Sequence, residues 1–259
     1  EMSNIEFLLV MFLSNSIFLI LIILRSIRKK SPRSLLKFFF LPVLLCSLVG
    51  VLVQSFTEIS EVSNRQVLGN LLLLTWCLKS FNSYKSMKVI LLDEFLSSVR
   101  SLISDKKFFR LLILILKISL LQIICFSSVL SLNYLSGYSA LVLMDLIGLV
   151  LCFAGLTLEL LSEKEIKENL SKGKKIIKSG PWAYLRHPNL TGILLFFGGL
   201  QLLSFNAVGS RWSIIGFFLL LYIVISLLIP EIENKLLLKY PKYKSHIDSL
   251  PILFKITNR

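Results

Sequence analysis

Apolar residues along this chain come in long runs, separated by shorter segments in which lysine and arginine collect. A transmembrane helix needs about 20 mostly apolar residues. About seven runs approach that length, at 5–24, 35–54, 66–84, 111–132, 138–160, 190–206 and 212–230. The third is the weakest, because its apolar stretch from Val67 to Leu78 is short and Lys79 follows. The pattern predicts an all-α fold: a polytopic membrane helix bundle of about seven transmembrane helices, forming a single membrane domain over residues 1–259. Only the segments 85–110 and 160–189 are long enough to build structure outside the hydrocarbon. In the second, Glu159, Glu163, Glu165 and Glu168 interleave with lysines. Span five is therefore expected to leave the membrane as a charged helix, to break at Ser171–Gly173 and to turn at Gly180–Pro181.

Charge orients the bundle. Basic residues cluster after span one (Arg25, Arg28, Lys29, Lys30, Arg33), after span three (Lys79, Lys85, Lys88, Arg100, Lys106), after span five (Lys164, Lys167, Lys172, Lys174, Lys175, Lys178) and in the tail (Lys235, Lys239, Lys242, Lys244). The intervening segments hold Arg65 and Arg211. Loops on the cytoplasmic side carry such an excess, so the N-terminus is expected outside and the C-terminus on the cytosolic or matrix side. The net charge of +14 is thereby explained by topology, with no nucleic-acid partner expected. Composition agrees, with 55% hydrophobic and 17% charged residues, against about 45–50% and 25% in a soluble domain. A disordered chain and a disulfide-dense secreted module are excluded by the same values. The basic cluster follows the first apolar run, which argues against a cleaved signal peptide. Cys46, Cys77, Cys125 and Cys152 all lie in apolar runs without ligand spacing, so they read as small buried hydrophobes and no metal site is expected. The endoplasmic reticulum, mitochondrial inner and bacterial inner membranes fit equally.

Charged groups at membrane depth are costly and usually face a cavity or a partner. Lys117 sits where it can snorkel, and Asp145 lies near the outer end of span five, so Glu159, at the inner end, is the better site candidate. The densest constellation is Gly180-Pro-Trp-Ala-Tyr-Leu-Arg-His-Pro-Asn-Leu-Thr-Gly192, which gathers Tyr184, Arg186, His187 and Asn189 just before span six. Pro188 disfavours helix at His187, and Asn189 is expected to cap span six. With Lys175 and Lys178 upstream, a cationic pocket for phosphate or carboxylate would result; a helix cap beside a lipid-headgroup patch is an equal reading. A second cluster, Ile229-Pro-Glu-Ile-Glu-Asn-Lys235, precedes Tyr240-Pro-Lys-Tyr243. Pro230 is expected to kink or end span seven, bringing Glu231 or Glu233 to the face that carries Arg186 and His187. An interfacial helix with tyrosine anchors explains the same residues. A soluble nucleotide-binding motif of the GxGxxG or P-loop kind is absent.

The segment SGPWAYLRHPNLTG resembles the GxWxYxRHPNYxGE signature of steroid 5-alpha-reductase-like integral membrane proteins, in particular their little-characterised branch. Trp76-Cys-Leu-Lys79 resembles that branch's W-G-L-R element, Asp93 and Arg100 keep its D…R spacing, and Gly155-Leu-Thr-Leu-Glu159 resembles its G-x-x-x-E. The resemblance runs from about Arg65 to Phe254, and residues 155–255 would form the C-terminal region carrying the cofactor site. It implies NADPH held at the inner ends of the helices and hydride transfer to an enone or similar double bond of a lipid-soluble substrate. On that mapping Tyr184, Arg186, His187 and Asn189 would line the cofactor, Lys175 and Lys178 would meet its phosphates, and Glu159 and Glu233 would hold ribose or amide groups. The chain departs from the pattern at Leu190 and Ile193, where the family has tyrosine and glutamate. That departure opens a second reading, a catalytically degenerate member with no cofactor, serving as an accessory subunit of a membrane complex. A third arises because isoprenylcysteine and phospholipid methyltransferases of the same superfamily share the G-P-x-x-Y-x-R-H-P-x-x-x-G core, with S-adenosylmethionine in place of NADPH.

Overall fold

A computed structural model describes residues 4–28, 45, 48, 63–83, 99, 101–102, 104–105, 107–134, 140–172, 176–206 and 210–253. Helices dominate, and no strand occurs among these residues. The chain divides into two compact units, Glu1–Leu141 with Ser204–Ser213, and Val142–Leu203 with Ile214–Arg259.

The first unit contains α1 (Asn4–Arg28), α2 (Asn64–Ser83), α3 (Phe108–Cys125) and the short α4 (Ser127–Tyr134). Leu19 and Ile23 of α1 pack with Ile115 of α3. Beside this apolar contact, Asn15 Nδ2 donates to Gln122 Oε1 at 3.0 Å and Ser16 Oγ to Ser119 Oγ at 2.9 Å. Between helices in lipid, where apolar contact alone gives little drive to associate, such pairs fix the partner and register. The single span expected over 111–132 is divided at Phe126, which makes a turn between α3 and α4. At the start of α2, two polar residues face inward: Gln66 Nε2 donates to the Asn133 carbonyl at 2.8 Å and Arg65, just before the expected third span, to the Ala140 carbonyl at 3.2 Å. Most of the second expected span, 35–54, lies outside the described residues.

The second unit contains α5 (Leu143–Ser171), a 3-10 turn (Gly180–Ala183), α6 (Pro188–Phe205), α7 (Ile214–Tyr222), a π-helical turn (Ile223–Leu228), α8 (Ile229–Lys239), a second 3-10 turn (Pro241–Tyr243) and α9 (Lys244–Ser249). Asp145 is explained locally. Its carboxylate accepts the Val142 N–H at 2.8 Å while its own N–H donates to the Val142 carbonyl at 2.9 Å, closing the first turn of α5. As expected, α5 runs far beyond its apolar part.

Glycines set the α5–α6 approach. A Cβ on Gly155 would lie 2.5 Å from the Gly192 carbonyl, and one on Gly199 would lie 2.5 Å from the Gly148 carbonyl. Between these contacts the Cys152 thiol donates to the Phe196 carbonyl at 3.3 Å. The opposite face of α5, with Leu146, Val150, Phe153 and Leu160, is exposed and apolar, the surface a helix offers to lipid.

Pro230 neither ends nor breaks its helix. Without an N–H it cannot satisfy the carbonyl four residues back, and its ring crowds that turn. The turn before it widens instead, so that the Ile229 N–H reaches the Val224 carbonyl five residues back. The helix continues to Lys239 and carries Glu233 with it.

Among the described residues, Phe108–Cys125, Leu143–Asn169, Pro188–Phe205 and Arg211–Lys239 are long and apolar enough to cross a membrane, and Phe12–Arg25 is a shorter apolar helix.

Candidate functional site

The segment between α5 and α6 is held at several points. Gly180 adopts φ +56, a left-handed conformation that glycine takes without cost, and a Cβ there would strike Glu165. Glu165 accepts the Ser179 hydroxyl, and Asn169 Nδ2 donates to both Glu165 Oε2 and Ser179 Oγ at 3.1 Å. Trp182 Nε1 donates to the Ser162 carbonyl at 3.1 Å. At the other end the Arg186 N–H donates to the Pro251 carbonyl at 3.1 Å. The tail therefore straps the segment, and Leu253 is buried in the cluster that includes Leu190, Leu194 and Ile229.

These restraints bring Arg186 and His187 onto Glu233 of α8. Arg186 Nη1 donates to Glu233 Oε1 at 3.0 Å and to Oε2 at 3.2 Å, and His187 Nε2 meets Oε1 at 2.9 Å. All three side chains are largely buried, at 12%, 4% and 14% exposure. One carboxylate shared by a guanidinium and an imidazole fixes both groups in place.

Pro188 occupies the first position of α6, where its missing N–H costs nothing. His187 is consequently the flanking residue, its carbonyl accepting the Thr191 N–H at 3.0 Å and the Thr191 hydroxyl at 3.1 Å. Asn189, expected as the cap, lies inside the first turn; it is 7% exposed and its Oδ1 has no protein partner. Glu159 is 2% exposed and lies against Gly192, where a Cβ would fall 2.6 Å from Glu159 Cγ. Tyr184 projects outward, 76% exposed. Lys178 is exposed, and Lys175 lies outside the described residues.

Two tail residues share the electrostatic neighbourhood of this cluster: His246, which sequence reasoning passed over, and Tyr243, which it read as an interfacial anchor. His246 and Tyr243, on the tail, are buried with ring centroids 5.4 Å apart. Burial holds the His246 imidazole below its ordinary 6.5, and the positive charges of Lys178, His187 and Arg186 act the same way against an opposing Glu233. Burial and Glu233 push the Tyr243 phenol up to about 12. Of the chain's two histidines, His187 binds the Glu233 carboxylate directly and His246 feels it electrostatically. The available signal was the rarity of histidine; reading Tyr240–Tyr243 as an interfacial anchor obscured it. Arg186 Nε and His246 Nε2 are buried without a protein partner. Among the described residues, no three His, Cys, Asp or Glu side chains are grouped to hold a metal.

Membrane-length apolar helices, with a buried polar cluster built from the segment before α6, from α8 and from the tail, define an integral membrane protein. A family profile described as "protein of unknown function (DUF1295)" matches residues 43–249, and the chain belongs to that family. No curated protein and no solved structure matches the chain.

Proposed function

We propose that this protein is a membrane oxidoreductase of the steroid 5-alpha-reductase type, binding NADPH at the Arg186–His187–Glu233 cluster and reducing a double bond of a lipid-soluble substrate. The observation that carries the reading is the meeting of Arg186 and His187 with Glu233 across 46–47 residues of sequence, the juxtaposition that a shared cofactor site requires. The donor set fits a dinucleotide. Arg186 Nε, His246 Nε2 and Lys178 suit anionic groups, and the unpartnered Asn189 Oδ1 suits an amide or hydroxyl donor. When bound, the nicotinamide supplies the hydride. The chain's part is to position it: Glu233 holds Arg186 and His187 rigid, the Pro251 carbonyl fixes the backbone of Arg186, and Glu159 supports the first turns of α6 from behind. The same reading places about seven spans in the bilayer, N-terminus outside and the cluster on the positively charged side, with substrate arriving from the lipid.

An S-adenosylmethionine-dependent methyltransferase is the second reading. It is favoured by the retention of Gly180, Pro181, Tyr184, Arg186, His187, Pro188 and Gly192, with Glu233 joined to them. Fluorescence titration of the purified chain with NADPH, with S-adenosylmethionine as competitor, separates the two. Saturable NADPH binding that is lost in Arg186→Ala is expected. Binding of S-adenosylmethionine alone would make the methyltransferase primary, and binding of neither would leave an accessory subunit of a membrane complex.

A further inference from the structure

The tail does more than strap the segment before α6: it carries a buried imidazole that feels the charges of the site. His246 is 2% exposed, yet its Nε2 has no protein partner, and neither has the buried Arg186 Nε. Leaving such buried polar atoms unmet costs stability unless a ligand or water meets them. The charges around His246 are unbalanced. From the segment before α6 it feels Lys178, Arg186 and His187, and from α8 it feels Glu233. Glu233 is already committed to Arg186 and His187 at 2.9–3.2 Å. Tyr243, its ring tilted against the imidazole, remains a neutral phenol at physiological pH. On its own element Lys244 and Asp248 are exposed.

We infer that His246 Nε2 and Arg186 Nε, with Lys178 at the rim, form an anion subsite that takes a phosphate group, and that binding draws a proton onto His246. An incoming phosphate supplies the negative charge that the cluster lacks, and a protonated imidazole then donates a charge-assisted hydrogen bond to it. The inference rests on the proposed cofactor site for its location. A nucleotide phosphate and a lipid-headgroup phosphate present the same chemistry, and the experiment tells them apart.

The test is calorimetric titration of the full chain at neutral pH in two buffers of different ionisation enthalpy, with NADPH as one probe and micellar phosphatidic acid as the other. At least one probe should bind with net proton uptake. His246→Gln should weaken that binding about tenfold or more and remove the uptake. Unchanged affinity and uptake in His246→Gln, or no binding of either probe to the wild-type chain, would overturn the inference. Should His246→Gln fail to fold, Lys178→Ala decides, because Lys178 is exposed. Weakening of several-fold is expected from it, and wild-type affinity counts against the subsite. NADPH binding that ignores His246 would leave the oxidoreductase reading standing without this subsite. Phosphatidic acid binding that needs His246, with no NADPH binding, would do the reverse.

Discussion

Glu233 is the residue through which the cluster is organised, since Arg186 and His187 both depend on it for their position. His246 depends on the same neighbourhood electrostatically, and that dependence is measurable as stability. Its imidazole is held below 6.5 in the folded chain, chiefly by burial and then by Lys178, His187 and Arg186. Below about pH 6.5 the unfolded chain therefore binds more protons than the folded one, so stability falls as pH drops. Above that pH His246 is neutral in both states and its contribution is complete. The thermal unfolding midpoint in detergent should decline between pH 7 and pH 5.5, and His246→Gln should flatten part of that decline. An unaltered slope in the variant would remove His246 as its source.

At the scale of elements, the α5–α6 seam governs where the site segment begins. Gly192 opens α6 against Glu159 and Gly155, with room for neither a methyl group nor an easy shift, because two of the three nearest atoms are backbone. Gly192→Ala should cost about 1–3 kcal/mol through overpacking, and should displace the Arg186–His187 segment as well. Gly198 is the control: a Cβ there meets only the rim of the Phe217 ring at 3.3–3.4 Å, which can turn aside. Gly198→Ala should melt near the wild-type temperature, and equal losses in both variants would argue against the seam. The π-helical turn before Pro230 has a comparable role in α8. By absorbing the proline, it lets one continuous helix carry Glu233 to the site.

For the molecule as a whole, the proposed orientation makes a prediction that does not depend on any cofactor. Trp212 and Lys239 lie at opposite ends of the Arg211–Lys239 helix, and both are exposed. With the native cysteines replaced by serine, a cysteine at Trp212 should react with a membrane-impermeant thiol reagent from the outer side and one at Lys239 from the inner side. Reaction of both from one side would exclude a span there, and reversed sides would exclude the charge-based orientation.

Membrane residence, helical class and the approximate place of α1, α2, α3, α5, α6 and the Arg211–Lys239 helix were legible in the chain itself, because hydrocarbon demands long apolar runs and local backbone hydrogen bonding. The candidacy of Arg186, His187 and Glu233 was legible too, since charged and imidazole groups are rare beside apolar runs and stand out by type alone. Hydrophobicity is blind to the rest. It could not divide 111–132 at Phe126 or pass a helix through Pro230, because an apolar run looks the same whether straight, broken or bulged. Nor could local signals settle which residue flanks α6: Asn189 has the chemistry of a cap, but Pro188 takes the first helical position and moves that place to His187. The tail lay furthest from sequence reach. Only tertiary packing of Leu253 and the Pro251 carbonyl against the α6 entrance puts the tail, and the charges His246 feels, beside Arg186, because proximity across some sixty residues is a property of the folded chain and has no local sequence signal.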